Sequence, residues 1–530
     1  MISIRYMEKY SKLLAIAICL MISLSSVGKN RTDCRIKLKK NTIAGVNILT
    51  QDMIDTPSTT YVIKYTFDLN GQTVFIPRGC NLEFKRKGCI TNGAIIFSDT
   101  WLKNERFEGL MAASGTLLNN TFDASRYGFV DDTEKLRFLL SQAKDSFTLK
   151  LEPKTYRINS LKGASRVRYD SAFAPFVGMS NLAIIGNKTV IEDSANKALI
   201  GNYLYSLLQF DGCNNVTVKD IAYRWTEQAT LHPKVEGIVF MRTFNECRSF
   251  YVSISVKNAG RAIYSGRWND TQDPGRGICD SKLSVVADHV GYPLAIEKGD
   301  NLDIQNRFAY AHRGTYLAGV TNSKVYVEGK EAYSTRVNLL LTDASDKNGT
   351  YFCDGITATV KDIGSKEMMN SVIMAQCNTY PQSYEQFKNR KPYNVRCIEI
   401  DVHTPAGSTT SFEGLVFTDL AQLGDAMNIS VSGNMDDDGK NSRLTRLTNI
   451  PFGTISFKSV RSMHNYVIIG SEIPNGTSIL FEDCPNIEIT IPSQARKTSG
   501  AITFRGCSFL RNTRSDKLGT GIFPVVSINE

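Results

Sequence analysis

The chain has 530 residues, 42% of them hydrophobic and 22% charged, which is an ordinary globular composition with enough apolar material for a large core. Its formal charge is +10. Residues 1–28 hold three basic side chains and one acidic one, so about +8 remains on the rest; on an exported chain this favours an anionic partner such as an acidic polysaccharide over nucleic acid. Solubility alone would account for the same charge.

The N-terminus reads as a targeting segment. Arg5, Lys9 and Lys12 form a basic region, residues 13–24 are a short apolar run, and Ser26 and Gly28 offer a small-residue cleavage site. The run is too short to span a bilayer comfortably, and no later stretch is long and apolar enough to do so, so no transmembrane segment is expected. Residues 1–28 are therefore assigned to a signal peptide and the chain to an exported location: periplasmic, cell-surface or secreted. Residues 29–64 are polar and mixed, without a clear period, and read as a leader into the fold. From residue 65 onward, short alternating strands punctuated by glycine suggest the first coils of a repetitive structure.

One helix interrupts the strands. Residues 131–143 open with capping and acidic residues and place Leu136, Leu139, Leu140 and Ala143 on one face. Asp131 and Asp132 are read as helix-capping residues and not as a catalytic pair. A strand, a corner at Pro153 and a second strand follow over residues 147–158.

Beyond this point one pattern keeps returning: an apolar alternation, a tight polar corner often containing Cys or Asn, then another alternation. It occupies residues 208–218, 238–252, 294–304, 316–327, 478–489 and 502–509. Such strands cannot each bury a face alone, but stacked in a coil each covers the next. The corner residues Asn301 and Ser323 are expected one coil apart, at roughly 20–25 residues per turn. Length alone would suggest three or more domains, but a solenoid grows by adding coils to one long domain. The expected fold is all-β, a parallel β-helix, with residues 65–160 forming the N-terminal coils and capping helix and residues 161–530 the main solenoid.

The segment from Asp123 through the helix to Ile158 resembles the opening of the pectate-lyase-like superfamily. There a Tyr-Gly and Asp-Asp-Thr stretch, a capping helix and a Pro-containing strand pair lead into a right-handed parallel β-helix. Tyr127, Gly128, Asp131, Asp132, Thr133, Pro153 and Tyr156 carry the likeness, while Lys154 and Thr155 stand where glycine is usual. The resemblance covers about 35 residues and implies the fold and not an activity, since that superfamily holds lyases, hydrolases, epimerases, phage tailspikes and binding proteins.

Twelve cysteines in an exported chain raise the question of disulfides. Cys213, Cys247 and Cys484 share one corner position of the repeat and Cys507 lies near it, which is the pattern of stacked, buried thiols. No Cys or His spacing matches a zinc site, so no zinc is expected. Asn434–Gly439 matches the first half of a calcium loop, but Thr445 replaces the closing carboxylate. An acidic turn is the preferred reading; no cofactor is expected, with calcium the only candidate.

Chemistry-bearing residues concentrate between Asp288 and Tyr316. For elimination from a uronic acid, a cation must neutralise the carboxylate and a base must take the adjacent proton. Arg313 suits the first role, and His312, Tyr316 or Lys298 the second, with His289 nearby. His312 and Arg313 must lie at a corner if both face one groove, because neighbours on a strand point to opposite faces. For glycoside hydrolysis, two carboxylates must flank the bond, and Asp288, Glu297, Asp300 and Asp303 are available. Trp268, with Asp270 and Asp273 in the same loop, is placed to wall a groove and stack on a sugar. Tyr292 and Arg307 complete the substrate-binding candidates. The full motif sets of polygalacturonate hydrolases and of calcium-dependent pectate lyases are absent. The sequence therefore favours an exported polysaccharide lyase or glycoside hydrolase acting on an extended glycan, with a non-catalytic adhesion β-helix as the rival reading. A phage tailspike is disfavoured by the export signal.

Overall fold

A computed structural model describes residues 34–167, 171–201, 203–229, 237–266, 277–330, 337–346, 349–351, 353–363, 371–376, 396–404, 413–418, 427–435, 443–448, 453–461, 465–469, 476–490, 500–510 and 526–529. The chain divides into two compact units, one running to Asn119 and including Arg126–Val130, the other comprising Asn120–Ser125 and Asp131 onward. In the first unit, strands Arg35–Lys37, Thr60–Ile63 and Asn81–Phe84 pair in parallel, so part of the 29–64 segment is sheet. A short antiparallel hairpin, Thr42–Ile43 with Val46–Asn47, also lies in that segment.

The second unit is built on two long sheets of 16 and 12 strands. The chain alternates between them: Ile278–Asp288 lies in the long sheet, Tyr292–Glu297 in the second, Asp300–Ala309 in the long sheet again, and Arg313–Ala318 in the second. Each strand pairs in parallel with the equivalent strand of the next coil. This mostly β arrangement of long parallel sheets is compatible with a parallel β-helix.

Period-two alternation decides which side chains go inside. Along the long sheet, Val218, Val252, Leu283, Ile304, Val325 and Ala358 occupy one register position, and all are buried. On the second sheet Phe176 stacks on Phe210 at 4.8 Å between ring centroids. Further along the chain Phe457, Phe481 and Phe504 repeat that stacking at 4.8 and 5.1 Å. Phe481 thus has an aromatic partner on both sides, which a single strand pair could not provide.

The corners have a conformational reason for their composition. Asn181, Asn215, Ser249, Asp280, Asn301 and Asn322 all have φ between 50° and 60°, and Gly355 continues the row at 62°. They fall at one register position of successive coils. Asn and Asp tolerate this left-handed region better than other residues with a side chain. Their side chains also bond from coil to coil: Asn215 Nδ2 donates to Asn181 Oδ1 at 2.6 Å, and Asn301 Nδ2 to Asp280 Oδ1 at 2.8 Å. This row corrects the expected register. Asn301 stacks on Asn322, while Ser323 Oγ accepts from the Leu302 amide.

The helix spans Asp132–Ser141, with Asp131 as its N-cap accepting from the Thr133 amide at 2.7 Å. Asp132 instead accepts from Lys154 Nζ and the Arg157 amide. Leu136 and Leu140 face a hollow lined by Leu149, Ile184, Leu208 and Phe240. No disulfide joins any of the nine described cysteines. The Cys213 thiol lies 3.4 Å from Phe176 O and that of Cys247 3.5 Å from Phe210 O, both buried at the stacked corner. No helix among the described residues is long and apolar enough to cross a membrane.

Candidate functional site

The second sheet buries both sides of its strands over Gly237–Phe244, Arg261–Ser265 and Tyr292–Ile296, with Glu297 half-buried at the strand end. One side is the apolar interior. The other carries Arg, Tyr and Glu, so burial there demands specific partners.

Register builds the cluster. Gln209, Arg242, Tyr264, Ala295 and Tyr316 occupy the same position in five successive strands. Arg261 and Tyr292 pair in the adjoining row. Arg261, Tyr292 and Arg313 each open their strand, and Arg261 and Arg313 each lie over the tyrosine three positions later, Tyr264 and Tyr316. His312 and Arg313 indeed sit at such a corner, since both amides donate to Gly291 O at 3.1 Å.

The contacts form an alternating stack of cations and rings. The Arg242 guanidinium lies 5.3 Å from the Tyr264 ring, and that of Arg261 lies 3.9 Å from Tyr264 and 5.1 Å from Tyr292. Arg313 lies 5.5 Å from Tyr292 and 5.8 Å from Tyr316. The Tyr292 ring meets Tyr316 edge-on at 6.0 Å and the buried His312 at 5.9 Å. Each cation–ring pair contributes about 0.5–2 kcal/mol, the upper end where water is excluded, as around the fully buried Tyr264. Val239 and Ala295 fill the apolar gaps.

Glu297 is the carboxylate of this cluster. Tyr264 Oη donates to its Oε1 at 3.4 Å. Burial pushes the Glu297 carboxyl up, against the downward pull of Arg261, Lys298, Tyr264 and Arg242. The site is shaped around it: Gly266 has φ 124°, and a Cβ there would stand 2.6 Å from Glu297 Oε2. Burial, reinforced by the Glu297 charge, also raises the Tyr316 phenol well above its ordinary value, so that it stays protonated. Lys298 is buried at the next corner with φ 55°, its Nζ 5.8 Å from the Tyr351 ring.

Of the residues singled out in the sequence, Tyr292, Glu297, Lys298, His312, Arg313 and Tyr316 thus come together. Asp288 and His289 meet one corner earlier: His289 Nδ1 lies 2.6 Å from Asp288 Oδ1. Asp300 lies beside the corner row at the start of its long-sheet strand, accepting from Thr321 and Asn322. Asp303 pairs with Lys282, and Arg307 with Glu328, on the long sheet. Trp268, Asp270 and Asp273 lie outside the described residues, as does most of the Asn434–Gly439 segment. Among the described residues no His, Cys, Asp and Glu group is arranged to hold a metal ion.

Arg242, Arg261 and Tyr264 are the members that sequence reasoning missed. They lie in earlier coils of unequal length, so only the strand register brings them beside Tyr292 and Arg313. No protein-family model matches the chain, and no curated protein matches it.

Proposed function

We propose that this chain is an exported right-handed parallel β-helix of the pectate-lyase-like kind, capped by the helix Asp132–Ser141, that cleaves an extended uronate-containing glycan by β-elimination. The observation that carries the reading is the stack of Arg261 and Arg313 against Tyr264, Tyr292 and Tyr316 beside Glu297. Planar guanidiniums held on aromatic faces are pre-oriented to take a carboxylate through paired hydrogen bonds. Neutralising that carboxylate is what lets the neighbouring C5 proton leave as a proton. A Tyr316 phenol that stays protonated suits donation to the departing glycosidic oxygen. Tyr316, the part-exposed ring at the end of the stack, is the one placed to meet a sugar. The basic N-terminal region and apolar run support export.

The test is a panel of acidic and neutral polysaccharides treated with the purified protein. It is read in the ultraviolet for unsaturated uronate and in parallel for reducing ends. New absorbance on an acidic polymer, lost in Arg313→Ala, supports elimination. Reducing ends without absorbance indicate hydrolysis. Binding of an acidic glycan with neither signal indicates an adhesion surface built on the same arginines.

A further inference from the structure

The cluster supplies cations and a protonated phenol but leaves open which group takes the substrate proton. One coil corner away lies a dyad with the geometry of an oriented base. Asp288 ends the long-sheet strand Ile278–Asp288, and His289 begins the corner that delivers Tyr292 three residues later. Asp288 Oδ1 lies 2.6 Å from His289 Nδ1, and its other oxygen takes a hydrogen bond from Lys257 Nζ, also at 2.6 Å. Burial alone would raise the Asp288 carboxyl; the hydrogen bonds from Lys257 and His289 outweigh it and hold it below its ordinary value, so it remains a carboxylate. A carboxylate at Nδ1 fixes the imidazole tautomer with its proton on Nδ1 and leaves Nε2 as the acceptor. Nε2 makes no hydrogen bond among the described residues, and the side chain is about a third exposed, at 32%.

The ring is also held in place. It stacks on Tyr310, one coil on, at 4.2 Å and 17°. His289 and Tyr310 both have left-handed backbones, with φ of 53° and 52°, at the position where the preceding coil has Asn258 at 65°. Bulky residues in that region cost about 1–3 kcal/mol each, and such strain gathers where a side chain must be aimed.

We infer that the Asp288–His289 dyad is the general base of the elimination, with His289 the catalytic residue and Asp288 its positioning residue. This rests on the uronate reading above. His289 Nε2 takes the C5 proton and the C–H electron pair becomes the C4–C5 double bond. The C4–O bond breaks, and the leaving oxygen carries off its pair and takes the Tyr316 phenol proton. Solvent then restores the phenol as the imidazolium releases its proton.

The experiment has two independent readouts. The first is 15N NMR of the five-histidine protein, with the His289 signals assigned by their loss in His289→Asn; asparagine is chosen because it tolerates the left-handed backbone. The expected tautomer has Nδ1 protonated and Nε2 bare, shifting toward the other tautomer in Asp288→Asn. The second is turnover and glycan affinity. His289→Asn should lose about 10²–10⁴-fold in kcat, with affinity for acidic glycan within about threefold of the parent. A protonated Nε2 at neutral pH overturns the assignment whatever the activity. Wild-type turnover in a folded His289→Asn protein overturns it while leaving the elimination reading intact. Absence of unsaturated product from the unaltered protein across the panel removes both.

Discussion

Replacing Asn301 separately by Ala and by Gly tests whether the corner row is held by left-handed backbone or merely by side-chain bonds. Asn301 has φ 53° and donates to Asp280 Oδ1 at 2.8 Å from an exposed position. Both variants lose that bond, worth about 0.5–1 kcal/mol at an exposed site. Alanine must in addition hold the left-handed conformation, at about 1–2 kcal/mol. Glycine adopts it freely but adds about 0.5–1 kcal/mol of unfolded-chain entropy. The expected losses are about 1.5–3 kcal/mol for Ala and about 1–2 kcal/mol for Gly, so glycine is the milder change although it removes more atoms. Urea unfolding gives the difference between midpoints, and hydrogen exchange in Asp300–Ala309 shows whether the loss is local, as stacked coils require. Equal destabilisation, or a worse glycine, would refute the conformational account of the corners.

Other consequences follow from the same contacts. Phe481→Ala removes a ring stacked on both sides and should cost about 3–5 kcal/mol, read by urea unfolding. Arg313→Lys keeps the charge but loses the planar stack on Tyr292 and Tyr316; affinity for an acidic glycan should fall about tenfold or more by calorimetry. Gly266→Ala must hold a side chain at φ 124° with its Cβ 2.6 Å from Glu297 Oε2, and should lower both the urea midpoint and turnover. Glu297 has a raised folded pKa, so its stabilising contribution is fully present below the ordinary carboxyl value of 4.5 and is lost as pH rises through the folded value. Stability–pH curves of Glu297→Gln and the parent should therefore converge at low pH and separate as pH rises, with the variant losing less.

The repeat of parallel strands and corners was legible in the sequence because its physical requirements are local. Period-two alternation marks the strands, and residues that tolerate φ above zero mark the corners, as at Asn301. The N-cap at Asp131 was legible for the same reason, since the capping side chain and the amide it serves are two positions apart. Exact register was not legible: Asn322 and Ser323 are both acceptable corner residues, and only coil-to-coil pairing selects Asn322 as the partner of Asn301. The candidate site was half legible. Tyr292, Glu297, Arg313 and Tyr316 cluster in sequence, whereas Arg242, Arg261 and Tyr264 join them only through stacking across coils of unequal length. Arg307 and Asp300 share the sequence cluster but belong to the long sheet, because each coil spends half its residues there.

The central claim is that the arginine–tyrosine stack handles the carboxylate of a uronate polymer undergoing elimination. Digestion of acidic and neutral glycans, followed by mass spectrometry of the products, tests it most directly. The account predicts oligosaccharides from an acidic polymer that end in a 4,5-unsaturated uronate, one water lighter than hydrolytic products, and none from neutral polymers. Saturated products carrying the added water, or equal cleavage of neutral glycans, would contradict it.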